Sequence, residues 1–202
     1  MISEGERKTY LALYLGKEGL HVREICRVAK LTLPAVAGHI NKGEKEGMIS
    51  CEKRGQLKIC RLNFESPRLV PVIQDVELAR FQQLPHAVQD SFDSFMADLK
   101  EKPLIALIFG SFAKRSHDKK SDLDVLLVFQ RIDLKLIKGV ELSAAKIIGR
   151  TGVNIQPVSL DYEEFERGMA DSGNNFMKEV KNDALVLHGL DAYLKLMGRF
   201  YA

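Results

Sequence analysis

Residues 104–129, LIALIFGSFAKRSHDKKSDLDVLLVF, constrain this chain more than any other stretch. LIALIF is an unbroken apolar run of strand length, as expected for a strand covered on both faces. VLLVF is a second such run. Between them stand Gly110-Ser111, ten residues rich in cations, and then Asp122-Leu123-Asp124. Glycine permits a sharp turn and leaves room for a ligand against the main chain. Side chains alternate along a strand, so Asp122 and Asp124 are predicted to point the same way, with Cα atoms roughly 6–7 Å apart. Leu123 and Val125 then face the opposite layer. Two acids on one face of an apolar strand are costly unless they are solvated or bind a cation. A divalent ion that prefers hard oxygen ligands, Mg²⁺ or Mn²⁺, suits them.

Gly110-Ser111, the ten-residue gap and Asp122-x-Asp124 resemble the signature of the DNA polymerase beta-type nucleotidyltransferase superfamily. The wording GSFAK…SDLDVLLVF is most similar to its minimal nucleotidyltransferase branch, and the resemblance covers residues 103–202. It implies a small mixed sheet carrying helices on one face, with the active site at one end of the sheet. It implies metal-dependent transfer of a nucleoside monophosphate from a triphosphate, with ATP expected, to a hydroxyl of a protein or small molecule. Some members of that family are antitoxins that modify a partner toxin on tyrosine, so a protein acceptor such as a toxin is among the implied partners. On the same ground Asp122 and Asp124 are the expected catalytic metal ligands. Gly110, Ser111, Lys114 and Arg115 are the expected nucleotide contacts, the main-chain N–H groups at the helix start facing phosphate.

The sequence departs from that pattern at one position. The family's third carboxylate lies on the next strand, here VNIQPVSL, and the aligned residue is Asn154, with Gln156 next on the same face. An amide oxygen can coordinate a metal but brings no charge and cannot act as a base. Losing a charged base would slow transfer by roughly 10²–10⁴-fold. Asp161 and Glu163 follow the strand, where they are expected to open the next helix.

Residues 1–64 read differently. Apolar positions at helical spacing predict a helix over 3–18, with Gly19 as its end, and a second carrying Val22, Ile25, Cys26 and Val28/Ala29 inward. Thr32 and Pro34 suit the start of a third helix over Leu33–Glu46, with Val36 and Ile40 facing in and Gly47 as the stop. MISCEKR and LKICRLN around Gly55-Gln56 read as a hairpin. Three helices and a hairpin resemble a winged helix-turn-helix of the ArsR-like and MarR-like regulators. The resemblance implies that the third helix enters the major groove while the wing meets the backbone. The implied DNA contacts are Ala35, Gly38, His39 and Lys42 on the helix and Lys53, Arg54 and Lys58 on the wing. That reading face is poor in Arg, Asn and Gln, which read base edges bidentately, and Gly43 replaces the bulky apolar residue that family carries there. A winged helix used for protein contacts or dimerisation is the alternative.

Residues 65–102 form an expected helical connector. Its clearest segment carries Val88, Phe92, Phe95, Met96 and Leu99 on one face, to pack on a neighbouring domain or a second copy. Residues 133–149 predict a further helix. The fold expected is therefore α+β: winged helix over 1–64, connector over 65–102, nucleotidyltransferase domain over 103–202. The chain has 202 residues and a formal net charge of +3, which permits a nucleic-acid partner without requiring one. With no run of eighteen apolar residues and no signal peptide, a cytoplasmic protein without membrane contact is expected, as a homodimer. The odd cysteine count, Cys26, Cys51 and Cys60, argues against a disulfide framework and a zinc site, and small buried thiols are expected, although Cys51 and Cys60 could face each other across the hairpin. Two functions follow: a DNA-tethered nucleotidyltransferase, or a DNA-binding regulator whose transferase-like domain binds nucleotide with little or no turnover.

Overall fold

Ser3 opens the first helix by accepting the Glu6 N–H on its hydroxyl while the Glu6 carboxylate accepts the Ser3 N–H. Two donors that the helix leaves orphaned are satisfied reciprocally. In the computed structural model, which describes residues 2–118 and 121–201, this helix α1 spans Glu4–Leu15. It ends at Gly16, ahead of the expected Gly19; a Cβ on Gly16 would lie 2.6 Å from Leu20 Cγ. β1 (Leu20–His21), α2 (Val22–Ala29), α3 (Leu33–Lys45), β2 (Ile49–Arg54) and β3 (Leu57–Leu62) follow. The strands form an antiparallel sheet in the order β1-β3-β2, and Gly55-Gln56 closes the hairpin, with Arg54 paired to Leu57. Tyr10, Leu13 and Tyr14 of α1, Ile25 and Ala29 of α2, and Val36 and Ile40 of α3 are buried with Ile49 and Leu62. Thr32 precedes α3 as predicted, but makes no side-chain cap, and Pro34 stands in the first turn.

Cys51 and Cys60 correct the expectation of free thiols. They stand opposite each other in the β2–β3 register, Cα atoms 4.1 Å apart, and are joined as a disulfide, leaving Cys26 as the free cysteine. Hairpin register, which a cysteine count does not contain, brings them together.

The chain divides into two compact units, one running to Leu78 and resuming at Tyr193, the other running from Ala79 to Ala192. The expected connector is thus shared between them. α4 (Leu69–Phe81) passes from the first unit into the second, while α5 (His86–Asp98) belongs wholly to the second.

The second unit continues with β4 (Ile105–Ile108), α6 (Gly110–Lys114), β5 (Leu123–Phe129), α7 (Leu134–Thr151), β6 (Ile155–Asp161), α8 (Tyr162–Ala170), α9 (Asn175–Asp183) and β7 (Leu185–His188). α10 (Leu190–Tyr201) then returns the chain to the first unit. The sheet is mixed, in the order β6-β5-β4-β7: β4 is antiparallel to both neighbours, and β5 is parallel to β6. Val88, Phe92, Phe95 and Leu99 pack with Val140, Ala144 and Ile147 of α7 over Ala106, Ile108, Leu123, Val125 and Leu127. The α5 stripe therefore serves the core of its own unit. Leu107, Leu126 and Val128, pointing the other way, are equally buried. The resemblance implied helices on one face; both faces of the β4–β5 pair are covered instead. Among the described residues no helix is long and apolar enough to cross a membrane.

Two stability predictions follow from the first unit. A Cβ on Gly43 would lie 2.5 Å from Ile49 Cδ1 and 2.9 Å from the Tyr10 hydroxyl, so two neighbours already fill the place of the expected bulky residue, whereas a Cβ on Gly38 meets nothing. Gly43→Ala is expected to cost about 1–3 kcal/mol in urea unfolding, and Gly38→Ala to add about 0.5–1 kcal/mol. Glu6, hydrogen-bonded first to Lys42 and then to the Ser3 N–H, has its carboxyl lowered from 4.5 to about 2. A depressed folded-state value means stability that is complete above about pH 4.5 and lost as pH falls towards 2. Wild-type stability measured across that window should fall more steeply than that of Glu6→Gln.

Candidate functional site

The site grows from the end of β4. Phe109 is extended, and its N–H donates to the main-chain oxygen of Asp124 at 3.1 Å. Gly110 then turns with φ +68°, a left-handed conformation that glycine adopts without strain. A Cβ at this position would run into the Asp124 carboxylate, whose Oδ2 lies against the Gly110 backbone. Asp124 is half-buried on β5, and Asp122 is exposed just ahead of the strand. The predicted pair of carboxylates is therefore present beside the Gly-Ser bend.

β6 adds the third predicted residue. Leu123 N–H donates to the Asn154 carbonyl at 2.8 Å, and Asn154 Nδ2 donates to Asp122 Oδ1 at 3.0 Å. Gln156 is the register partner of Asp124. Asn154 thus stands beside Asp122 as aligned, with an amide where a carboxylate was sought. Asp161 pairs with Phe129, five positions beyond Asp124 and so roughly 16 Å along the strand. Its carboxylate accepts the Glu164 N–H at 2.8 Å to cap α8, and Glu163 lies in the first turn of that helix. Neither reaches the site.

A third acid arrives from α9. Glu179 Oε1 is 2.9 Å from Lys114 Nζ, and its charge is felt by Asp124. Burial, then the Asp122 charge, then the Glu179 charge push the Asp124 carboxyl above its usual range. Sequence reading missed Glu179 because it lies fifty-five positions beyond Asp124 in an ordinary amphipathic helix; only the packing of α9 on α6 brings it in. Lys114 is committed to Glu179. Arg115 is exposed and caps α6 in a left-handed conformation, φ 59°. α6 has only five residues, and its first N–H groups have no partner within the helix.

This donor set suits a hard divalent cation. Asp124 is a half-buried carboxylate crowded by two other negative charges, and a cation would relieve that repulsion. Among the described residues no group of three or more His, Cys, Asp and Glu is gathered as a closed metal cage. Asp122 and Asp124 would share the ion with phosphate oxygens and water, which is how Mg²⁺ is commonly held. A separate hollow of about 1040 Å³, lined by Leu99, Asp133, Leu136, Lys138 and Lys146, lies beyond the other end of β5, away from these acids.

In the first unit, Val36, Ile40 and Gly43 are buried, so the opposite side of α3 presents Gly38, Asn41 and Lys45, with Lys42 at its margin, all exposed. Exposed Asn41 and Lys45, which the sequence reading did not name, share that side of the helix, while Ala35 and His39 lie on its flank. Ala35 is half-buried on the flank. His39 Nδ1 lies 2.9 Å from the Thr9 hydroxyl, against α1. Lys42 pairs with Glu6 at 2.6 Å, Lys58 with Glu44 at 2.7 Å and Arg54 with Glu52 at 2.6 Å; Lys53 is exposed on the hairpin.

Compared with known proteins, the chain matches no family model, no curated protein and no solved structure.

Gly110→Ala tests the contact on which the site is built. The new methyl must displace the Asp124 carboxylate and also occupy a left-handed backbone. The expected result is a loss of about 1–3 kcal/mol in unfolding stability, read by urea denaturation.

Proposed function

We propose that residues 79–192 form a minimal nucleotidyltransferase that binds a nucleoside triphosphate with Mg²⁺ or Mn²⁺, and that the first unit is a DNA-binding winged helix. The observation that carries the reading is the Asp124 carboxylate pressed against the Gly110 backbone, with Asp122 two residues before it. A carboxylate from β5 and orphaned main-chain N–H groups at the start of α6 meet there, which is what a metal-complexed phosphate requires. In the transfer itself an acceptor hydroxyl oxygen bonds to the α-phosphorus, the bond to pyrophosphate breaks and the hydroxyl proton passes to water. A bound divalent ion supplies neutralisation of charge on the phosphate oxygens. Asp122 and Asp124 hold and orient the reactant, and the N–H groups at the start of α6 face its phosphates. The bend admits no side chain, which lets the phosphate approach the main chain. Asn154 cannot take the acceptor's proton.

That last point favours a second reading. Asn154 donates to Asp122, so it holds the ligand in place while supplying no base. A domain of this kind binds nucleotide and turns it over slowly, and the first unit then carries the output as a DNA-binding regulator. The acceptor class under the first reading is a hydroxyl of a protein, such as a partner toxin, or of a small molecule. Exposed Asn41 and Lys45 on α3 and Lys53 on the hairpin are the contacts proposed for DNA.

Labelled nucleoside triphosphates with Mg²⁺ or Mn²⁺ test the enzyme. Asp122→Asn and Asp124→Asn should each weaken Mn²⁺ binding by at least about tenfold. Asn154→Asp should raise label transfer by about 10²-fold or more if a base is all that is lacking; unchanged background turnover would favour the regulator. Gel shifts on the chain's own upstream DNA should weaken steeply with salt, and Lys45→Ala should reduce the salt slope by about one. Negligible binding at low salt would remove the DNA-binding reading.

A further inference from the structure

α7 leaves one face exposed. The helix buries Val140, Ser143, Ala144 and Ile147 on the core side of its unit. About a third of a turn round from that stripe runs a second one, made of Leu134, Ile137, Glu141, Ala145 and Ile148. Leu134 is 76% exposed and Ile148 41%; Ala145 is exposed and Ile137 half-buried. Exposed apolar residues scattered singly are normal on a protein surface. Four in one line along a helix are a seam.

Their spacing identifies the occupant. Leu134 and Ile137 stand seven and four positions before Glu141, and Ala145 and Ile148 stand four and seven after it. The stripe therefore reads the same from either end. We propose that this face of α7 docks a second copy of the chain as an antiparallel helix pair, two-fold about Glu141. Leu134 of one copy then meets Ile148 of the other, and Ile137 meets Ala145, large against small. The steps of three, four, four and three positions from Leu134 to Ile148 average the 3.5-residue period that keeps such a seam facing its partner.

Charge and area agree with a second copy. Lys138 is exposed beside the stripe, three positions from Glu141. In the antiparallel pair it comes within about 4.5 Å, measured along the axis, of the other copy's Glu141. Two glutamates that meet at the centre are thus flanked by two lysines, and the middle of the interface is neutral. An anionic membrane or a nucleic acid would require one sign of charge beside the stripe, whereas this face carries both. α7 has 18 residues, which makes it about 27 Å long and about 10 Å across. Two such faces cover on the order of 1,000 Å² in all, the lower end of what a specific pair needs. The dimer is accordingly weak, with a Kd in the micromolar range. The nucleotide site and the DNA contacts play no part in this inference, so it stands or falls apart from both.

Sedimentation equilibrium of the full chain across the micromolar range is the test, and wild type should pass from one chain to two as concentration rises. Leu134→Glu and Ile148→Lys, both at exposed positions and checked by thermal unfolding, should each weaken self-association by at least about tenfold. Mixed in equal amounts, these two variants should associate again. The antiparallel pair then sets the introduced acid against the introduced cation at one end and keeps Leu134 against Ile148 at the other. Leu142→Ser alters a residue that is 65% exposed but turned towards the hollow beside α7, and should leave association unchanged. Wild type that stays monomeric throughout assigns the stripe to a different partner and overturns the proposal. Single variants that dimerise as well as wild type also overturn it, as does Leu142→Ser dissociating as fully as Leu134→Glu. A mixture that stays monomeric overturns it too, because a parallel pair sets Leu134 against Leu134 and gives no rescue.

Discussion

The second unit depends on one close approach, the backbone of Gly110 against the carboxylate of Asp124. The antiparallel register of β4 and β5 sets it. Ile108 pairs with Val125, so the residue before Val125 lies beside the chain as it leaves β4. Leu123, Val125 and Leu127 are locked into the apolar layer under α5 and α7, and this locks Asp124 onto the other side. Any side chain at residue 110 would occupy the carboxylate's place. The fold thus brings an acid, a turn and unsatisfied N–H groups to one point, and burial of the neighbouring apolar residues offsets the desolvation of Asp124.

What could be read without coordinates was whatever local pattern determines. Two unbroken apolar runs implied strands buried on both faces, and β4 and β5 are. Alternation along a strand placed Asp122 and Asp124 together, and the parallel register then placed Asn154 beside Asp122. What tertiary packing determines was not legible. Glu179 belongs to a helix whose own sequence gives no reason to approach Asp124. Cys51 and Cys60 stand opposite each other in the hairpin, as its sequence allowed, but nothing in the cysteine count required them to bond. On α3 the inward residues Val36 and Ile40 were legible and Gly43 was not: it continues their buried stripe, which leaves Asn41 and Lys45 outward and His39 against α1. Gly43 broke the expected pattern because Ile49 and Tyr10 supply from elsewhere the volume it lacks.

Both units pair their cations in advance. Lys42 rests on Glu6, Lys58 on Glu44, Arg54 on Glu52 and Lys114 on Glu179. Exposed pairs of this kind are worth about 0–1 kcal/mol each, so they do not immobilise the cations; they set the terms of exchange. A singly charged anion that displaces a carboxylate gains almost nothing, because one ion pair replaces another of similar strength. An anion that presents several charges in a row can displace several carboxylates while releasing its own counterions, and the balance turns in its favour. Surfaces built this way are quiet towards small anions and responsive to polyanions. A nucleic-acid backbone is the polyanion proposed for the first unit, and a metal-complexed triphosphate the one proposed for the second.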